Sequence, residues 1–142
     1  MKNLFTVLLA AICLTLLSCN KETATTQTNV MNSLLTNKNW YLDYSITDGL
    51  TSTTPTVLKS YVGQSTYFIT YLKTGVTQDS DGITGTYTVE LINGQSQIHM
   101  LLKTSNGNPF EVIYNIISVG ESNMVLSKVI SGPATRLYFT TK

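Results

Sequence analysis

From Asn39 to Phe139 apolar and polar side chains alternate with a period of two, in short runs broken by Gly, Asn, Asp and Pro. That period belongs to β-strands with one buried face. Trp40, Leu42 and Tyr44 alternate with Tyr41, Asp43 and Ser45 and predict a first strand. Asp48 to Thr56 reads as a loop, and Val57 to Val62 as a short strand. Tyr67, Ile69 and Tyr71 share one face of a strand within Ser65 to Lys73, which Lys73, Thr74 and Gly75 end; Gln78 to Gly82 reads as a polar turn. Tyr87, Val89 and Leu91 share a face over Gly85 to Ile92. Asn93 and Gly94 then supply the residue pair whose tolerance of positive φ makes a tight hairpin. Gln95 to Leu102 returns with Ile98, Met100 and Leu102 together. After a turn at Asn106 to Pro109, Phe110, Val112, Tyr114 and Ile116 alternate up to Val119. Past Gly120 to Asn123, Met124 and Leu126 begin a strand that extends towards Lys128 to Ile130. Ser131, Gly132 and Pro133 turn the chain into a last strand with Leu137 and Phe139.

Seven or eight short antiparallel strands in simple succession predict an all-β fold. A meander with one buried face per strand closes most easily into a barrel, which also removes exposed edges. Alternation and turn spacing alone are equally compatible with a β-sandwich. Ahead of the strands, Met31, Leu34 and Leu35 stand at helical spacing with Asn29 or Asn32 as a cap, predicting a short helix. Lys21 to Asn29 has a single apolar side chain, Ala24, and predicts a flexible Thr-rich tether. Fully extended, about nine residues reach roughly 30 Å.

Leu4 to Leu17 is an apolar run interrupted only by Thr6, Cys13 and Thr15 and preceded by Lys2. At about 14 residues it falls short of the roughly 20 needed to cross a bilayer as a helix, and it has the layout of a secretory signal. It ends in Leu16, Leu17, Ser18 and Cys19, which resembles the lipobox of bacterial lipoproteins. The resemblance implies cleavage before Cys19 and lipid on its thiol, the acyl chains then holding the chain to a membrane. The implied organisation is a cleaved signal over 1–18, a lipidated Cys19 and tether over 19–29, and a domain over 30–142. Cys13 leaves with the signal and Cys19 carries lipid, so no cysteine is left for a disulfide or thiolate site. By the sorting logic of such lipoproteins, Asn20 after the cysteine points to the outer membrane, on either face.

Composition narrows the partners. Without Lys2 the nine Lys and Arg become eight, matching the eight Asp and Glu, so the mature chain is formally neutral. No basic stripe is present to hold nucleic acid. Thr, Ser, Asn and Tyr are abundant, as suits a pleated surface, and about 110 residues fit one domain with a modest core.

Leu34, Leu35, Trp40 and Leu42, then Tyr71 with Gly75, Gly85-Thr86-Tyr87, Tyr114 with Ile116, and Met124 with Leu126 together resemble the lipocalin-like domains of Bacteroidetes lipoproteins. In the wider lipocalin family a Gly stands two residues before the Trp of the first strand; here that position is Lys38. The resemblance implies an eight-stranded cup holding a small hydrophobic or amphipathic molecule. It also implies a late Arg packed across the Trp, here Arg136 on Trp40, the only Arg and the only Trp of the chain. The inward register predicts an interior built from Trp40, Leu42, Tyr67, Ile69, Tyr71, Tyr87, Val89, Ile98, Met100, Tyr114 and Ile116, with Phe110 also inward. A barrel of this size is just wide enough to be filled by side chains or to hold one small ligand.

Candidate chemistry is sparse. His99, the sole histidine, alternates out of phase with Ile98 and Met100 and is expected on the outer face with no catalytic partner. One His without a free Cys cannot make a zinc set. Asp79 to Gly82 lacks the further ligands and closing Glu of a calcium loop and is expected to be a turn. The expected function is therefore non-enzymatic, without cofactor or metal. It is either small-ligand binding in the barrel or, from a packed barrel, contact with another protein through Asp48 to Thr56 and Gly75 to Gly82.

Overall fold

The computed structural model describes residues 24–47, 67–128 and 134–142, together with the backbone of 56–60. Lys2, the apolar run, Cys19 and Asn20 lie outside the described residues, as does most of the expected loop Asp48 to Thr56. A helix, α1, spans residues 24–35. Nine strands follow: β1 (Asn39–Thr47), β2 (Thr56–Ser60), β3 (Phe68–Tyr71), β4 (Val76–Asp79), β5 (Thr84–Ile92), β6 (Gln95–Lys103), β7 (Pro109–Val119), β8 (Asn123–Lys128) and β9 (Thr135–Thr140). No helix among the described residues is long and apolar enough to cross a membrane.

All strand pairings are antiparallel, and the sheet closes. β3 to β9 pair in sequence, and β1 joins β3 along Asn39–Tyr41 and β9 along Tyr41–Thr47. This makes an eight-stranded meander barrel, and the sandwich alternative is excluded. β2 is a ninth strand laid on the same edge of β1 as β3, further along it, opposite Tyr44–Thr47.

Three sequence expectations change. Val76 to Asp79 carry little apolar signal, and the sequence places Gln78 and Asp79 in the polar turn Gln78 to Gly82; they form β4 because the inward Thr77 is fully buried and its hydroxyl donates to the Thr70 carbonyl at 3.1 Å. Tyr44 does not share the face of Trp40 and Leu42, because a bulge between Leu42 and Tyr44 inverts the alternation. Ser45 becomes the buried residue, and Tyr44 stacks on Tyr138 with ring centroids 4.3 Å apart. Finally, residues 24–29 are helical rather than tether. Gln27 Nε2 donates to Ser96 Oγ at 3.2 Å and Thr28 Oγ1 to the Ala24 carbonyl at 3.0 Å, so polar side chains tie this stretch to the barrel and to its own turn.

The core lies inside the barrel and is densest at the end where β1 begins. Trp40, Tyr71, Ile98, Met100, Met124 and Leu126 are buried there, and Leu35 is driven in from α1. The indole Nε1 of Trp40 donates to the Leu35 carbonyl at 2.8 Å and the Asn37 amide to the Tyr71 carbonyl at 3.0 Å, so α1 is bolted across this end as a plug. The turns β4–β5 and β6–β7, with the end of β8 and the start of β9, ring the opposite end, the mouth. The tightest contact in the wall is at Gly85: a Cβ there would fall 2.0 Å from the Leu101 carbonyl oxygen and 2.8 Å from the Leu102 Cα. The β5–β6 hairpin turns through Asn93 and Gly94, at φ 51° and 79°, as the residue pair predicts.

Candidate functional site: the barrel interior

All eleven residues predicted to line the interior are in the core or packed against it. Trp40, Ile69, Tyr71, Tyr87, Val89, Ile98, Met100 and Ile116 are buried, and Leu42, Tyr67 and Tyr114 are half-buried against them. Burial is graded along part of the wall. On β1, β7 and β9 Trp40, Ile116 and Phe139 are buried while Leu42, Tyr114, Val112 and Leu137, nearer the mouth, are half-buried; on β3 both Tyr71 and Ile69 are buried before half-buried Tyr67, and on β5 and β6 burial runs on towards the mouth to Tyr87 and Leu102. Phe110 keeps the inward register opposite Leu102, yet at the rim it is 37% exposed rather than enclosed. The barrel is thus filled at the plug and forms a shallow apolar cup at the mouth.

Four phenols cluster in the interior, Tyr71 and Tyr87 towards the plug and Tyr67 and Tyr114 towards the mouth. The rings of Tyr71 and Tyr87 meet edge to face at 4.9 Å, and the Tyr71 hydroxyl lies 3.8 Å from the Met100 sulfur. Tyr87 donates to the Leu72 carbonyl at 2.9 Å and Tyr67 to Asp79 Oδ2 at 3.3 Å. Burial raises the pKa of all four, including Tyr114. For Tyr67 the Asp79 carboxylate adds to the effect, and for Tyr71 the phenols of Tyr114, Tyr67 and Tyr87 do. All four stay protonated well into alkaline solution. They offer hydroxyls, not phenolates.

Arg136 does not reach Trp40. It pairs opposite Ile46 on β1, on the outward register, six residues along the strand from Trp40 and so roughly 20 Å away. The cation over the indole is Lys38, whose Nζ sits 5.2 Å from the ring centroid, 2.9 Å from the Glu121 carbonyl and 3.6 Å from its carboxylate. The departure from Gly at this position thus supplies the charge that the resemblance had assigned to Arg136.

His99 lies on the outer face beside Gln97, with Nε2 and Oε1 3.2 Å apart. Asp79 is the hinge of the β4–β5 turn, its Oδ1 accepting from the Asp81 and Ile83 amides at 2.9 Å each. Among the described residues no three His, Cys, Asp or Glu side chains gather in a group that could hold a metal ion.

Fold and site together define a class: a plugged eight-stranded meander barrel with a tyrosine-lined apolar cup. Searched against protein families, curated proteins and solved structures, the chain matches none of them.

Proposed function

We propose that this chain is a lipid-anchored lipoprotein of the bacterial cell envelope, placed in the outer membrane by lipid on Cys19. Its lipocalin-like barrel binds a small hydrophobic or amphipathic molecule without catalysis. The observation that carries the binding half is the gradient along the barrel: Leu42, Val112, Tyr114 and Leu137 face inwards yet remain half-exposed at the mouth. The Tyr114 hydroxyl has no hydrogen-bond partner among the described residues, so a ligand's polar group would complete it there. Aromatic walls with a few hydroxyls suit a ligand with an apolar body and a polar tip. The filled end near the plug limits that ligand to a small one.

Native mass spectrometry of the chain isolated gently from its own cells tests this reading. A retained small-molecule adduct is expected, and Leu42→Glu should remove it while leaving the fold intact; a clean apo mass would count against a tightly held ligand. For the anchor, Cys19→Ala should abolish lipid mass and release the chain from the membrane fraction. Unchanged processing and an unchanged membrane fraction would overturn it.

The packed half of the barrel favours a second reading, a protein-interaction or inhibitor module; of the two stretches expected as loops, Gly75 to Gly82 is largely β4, so contact would fall to its exposed turn at Ser80 to Gly82 and to Asp48 to Thr56.

A further inference from the structure

β4 is shorter than β5, and this leaves part of the wall unpaired. β4 pairs with β5 only over Thr84–Thr86, and the Tyr87 amide makes the last bond, to the Gly75 carbonyl at 2.8 Å. Along an antiparallel strand every second residue directs its N–H and C=O to the same edge. The groups of Val89, and then the amide of Leu91, therefore point to the edge that β4 has vacated, and no strand among the described residues takes them.

Facing that edge is α1. Thr25, Thr28, Asn29, Asn32, Ser33 and Thr36 recur at spacings of three and four, so short polar side chains form one stripe. The opposite stripe, Gln27, Met31 and Leu35, holds the barrel. Two cavities run in line between the polar stripe and the β5 edge. One, of about 510 Å³, is lined by Asn32, Ser33, Thr36, Lys73, Thr88 and Val89 among others. The next, of about 250 Å³, is lined by Thr25, Thr28, Asn29 and Leu91 with Ala24.

Two polar residues stand at the wider end. Thr36 is 6% exposed, and its Oγ1 is the buried side-chain polar atom without a hydrogen-bond partner among the described residues. Such an orphan costs about 1–3 kcal/mol; Thr36 lines the cavity, with its hydroxyl turned just behind the surface. Lys73 makes no ion pair among the described residues and is the sole charged residue lining it.

We propose that this groove takes the free C-terminal end of an extended peptide, added antiparallel to β5. The peptide backbone pairs with Val89 and Leu91, and its terminal carboxylate meets Lys73 and, as the Thr36 side chain turns outwards to another rotamer, the Thr36 hydroxyl. The polar stripe of α1 forms the other wall. From Tyr87 to Leu91 the edge is about 13 Å long, room for roughly four residues. Strand addition draws affinity from main-chain bonds, and capture of a carboxylate fixes the register. The site is separate from the cup and rests on neither reading of it.

The test uses the intact chain with a library of acetylated pentapeptides, offered with free and with amidated C-termini. Free-acid peptides should be captured and should slow hydrogen exchange at the Val89 and Leu91 amides. Lys73→Met should weaken capture about tenfold, the worth of one charge-assisted bond. Thr36→Val separates binding from stability: it removes the orphan, so the free chain should melt at the same or a higher temperature while capture weakens. Equal capture of amidated peptides, no added protection at Val89 and Leu91, or a lower melting temperature in Thr36→Val would each overturn the proposal.

Discussion

Gly85 shows how one missing side chain shapes the barrel wall. Its neighbours across β6 are backbone atoms, the Leu101 oxygen and the Leu102 Cα, and neither can turn aside as a side-chain tip would. Gly85→Ala must push β5 and β6 apart where they pair most extensively, and overpacking of this kind costs about 1–3 kcal/mol. Urea denaturation should place the variant at the upper end of that range. By contrast Gly94, in a left-handed turn with nothing near its Cβ, should lose only the conformational cost of about 1 kcal/mol on Gly94→Ala. The Trp40 environment gives a sharper residue-level prediction. Double-mutant cycles should show Trp40→Phe coupled to Lys38→Met by roughly 0.5–1 kcal/mol, the size of an exposed cation–ring contact. Trp40→Phe and Arg136→Ala should simply add, because residues this far apart usually do so.

Among the elements, strands whose inward residues are apolar were legible from the period alone. β5 and β6 lie where the alternation of Tyr87, Val89 and Leu91 against Ile98, Met100 and Leu102 puts them, and Asn93-Gly94 marks their turn. β4 was not legible, because its inward-register residues, Thr77 and Asp79, are both polar and are satisfied by the Thr70 carbonyl and by Tyr67 and the turn amides. The first half of α1 was hidden for a related reason. A run of Thr and Asn has poor helix propensity, and what offsets that here is tertiary: Leu35 buried in the plug and Gln27 bonded to Ser96. The bulge after Leu42 shifts the face of every later residue in β1, and a period-two pattern carries no sign of it. Of the candidate site, the inner face was readable, since it is core by another name. The groove beside β5 was not, since it depends on β4 ending early. If tertiary contacts hold α1, Leu35→Ala should cost about 2–5 kcal/mol, as for other large-to-small core changes. Asn29→Ala on the polar stripe, at an exposed position within α1, should instead stabilise by a few tenths of a kcal/mol through propensity. Thermal melts of the two variants should therefore move in opposite directions.

Across the whole molecule the tyrosines join packing to pH. Tyr67, Tyr71 and Tyr114 each have a pKa raised above the ordinary phenol value of 10.0, with burial the largest cause. An acid whose folded-state pKa is raised holds its proton longer in the native state than in the unfolded chain. The native state then binds more protons above pH 10, and stability falls as pH rises. Below that pH both states are protonated and the phenols add no slope. Stability should thus be flat on this account through neutral pH and should fall above about pH 10, by up to about 1.4 kcal/mol per pH unit for each fully buried phenol. Tyr71, fully enclosed beside Met100 and Tyr87, should contribute most. Tyr71→Phe removes a hydroxyl that donates to a thioether, a weak acceptor, so its cost at pH 7 should be small. Above pH 10 the variant should lose stability less steeply than the parent, and urea midpoints taken at neutral and alkaline pH would measure the difference. Parallel slopes for parent and Tyr71→Phe would mean that the phenol ionises from an opened cup, and that the packing around it yields before the proton leaves.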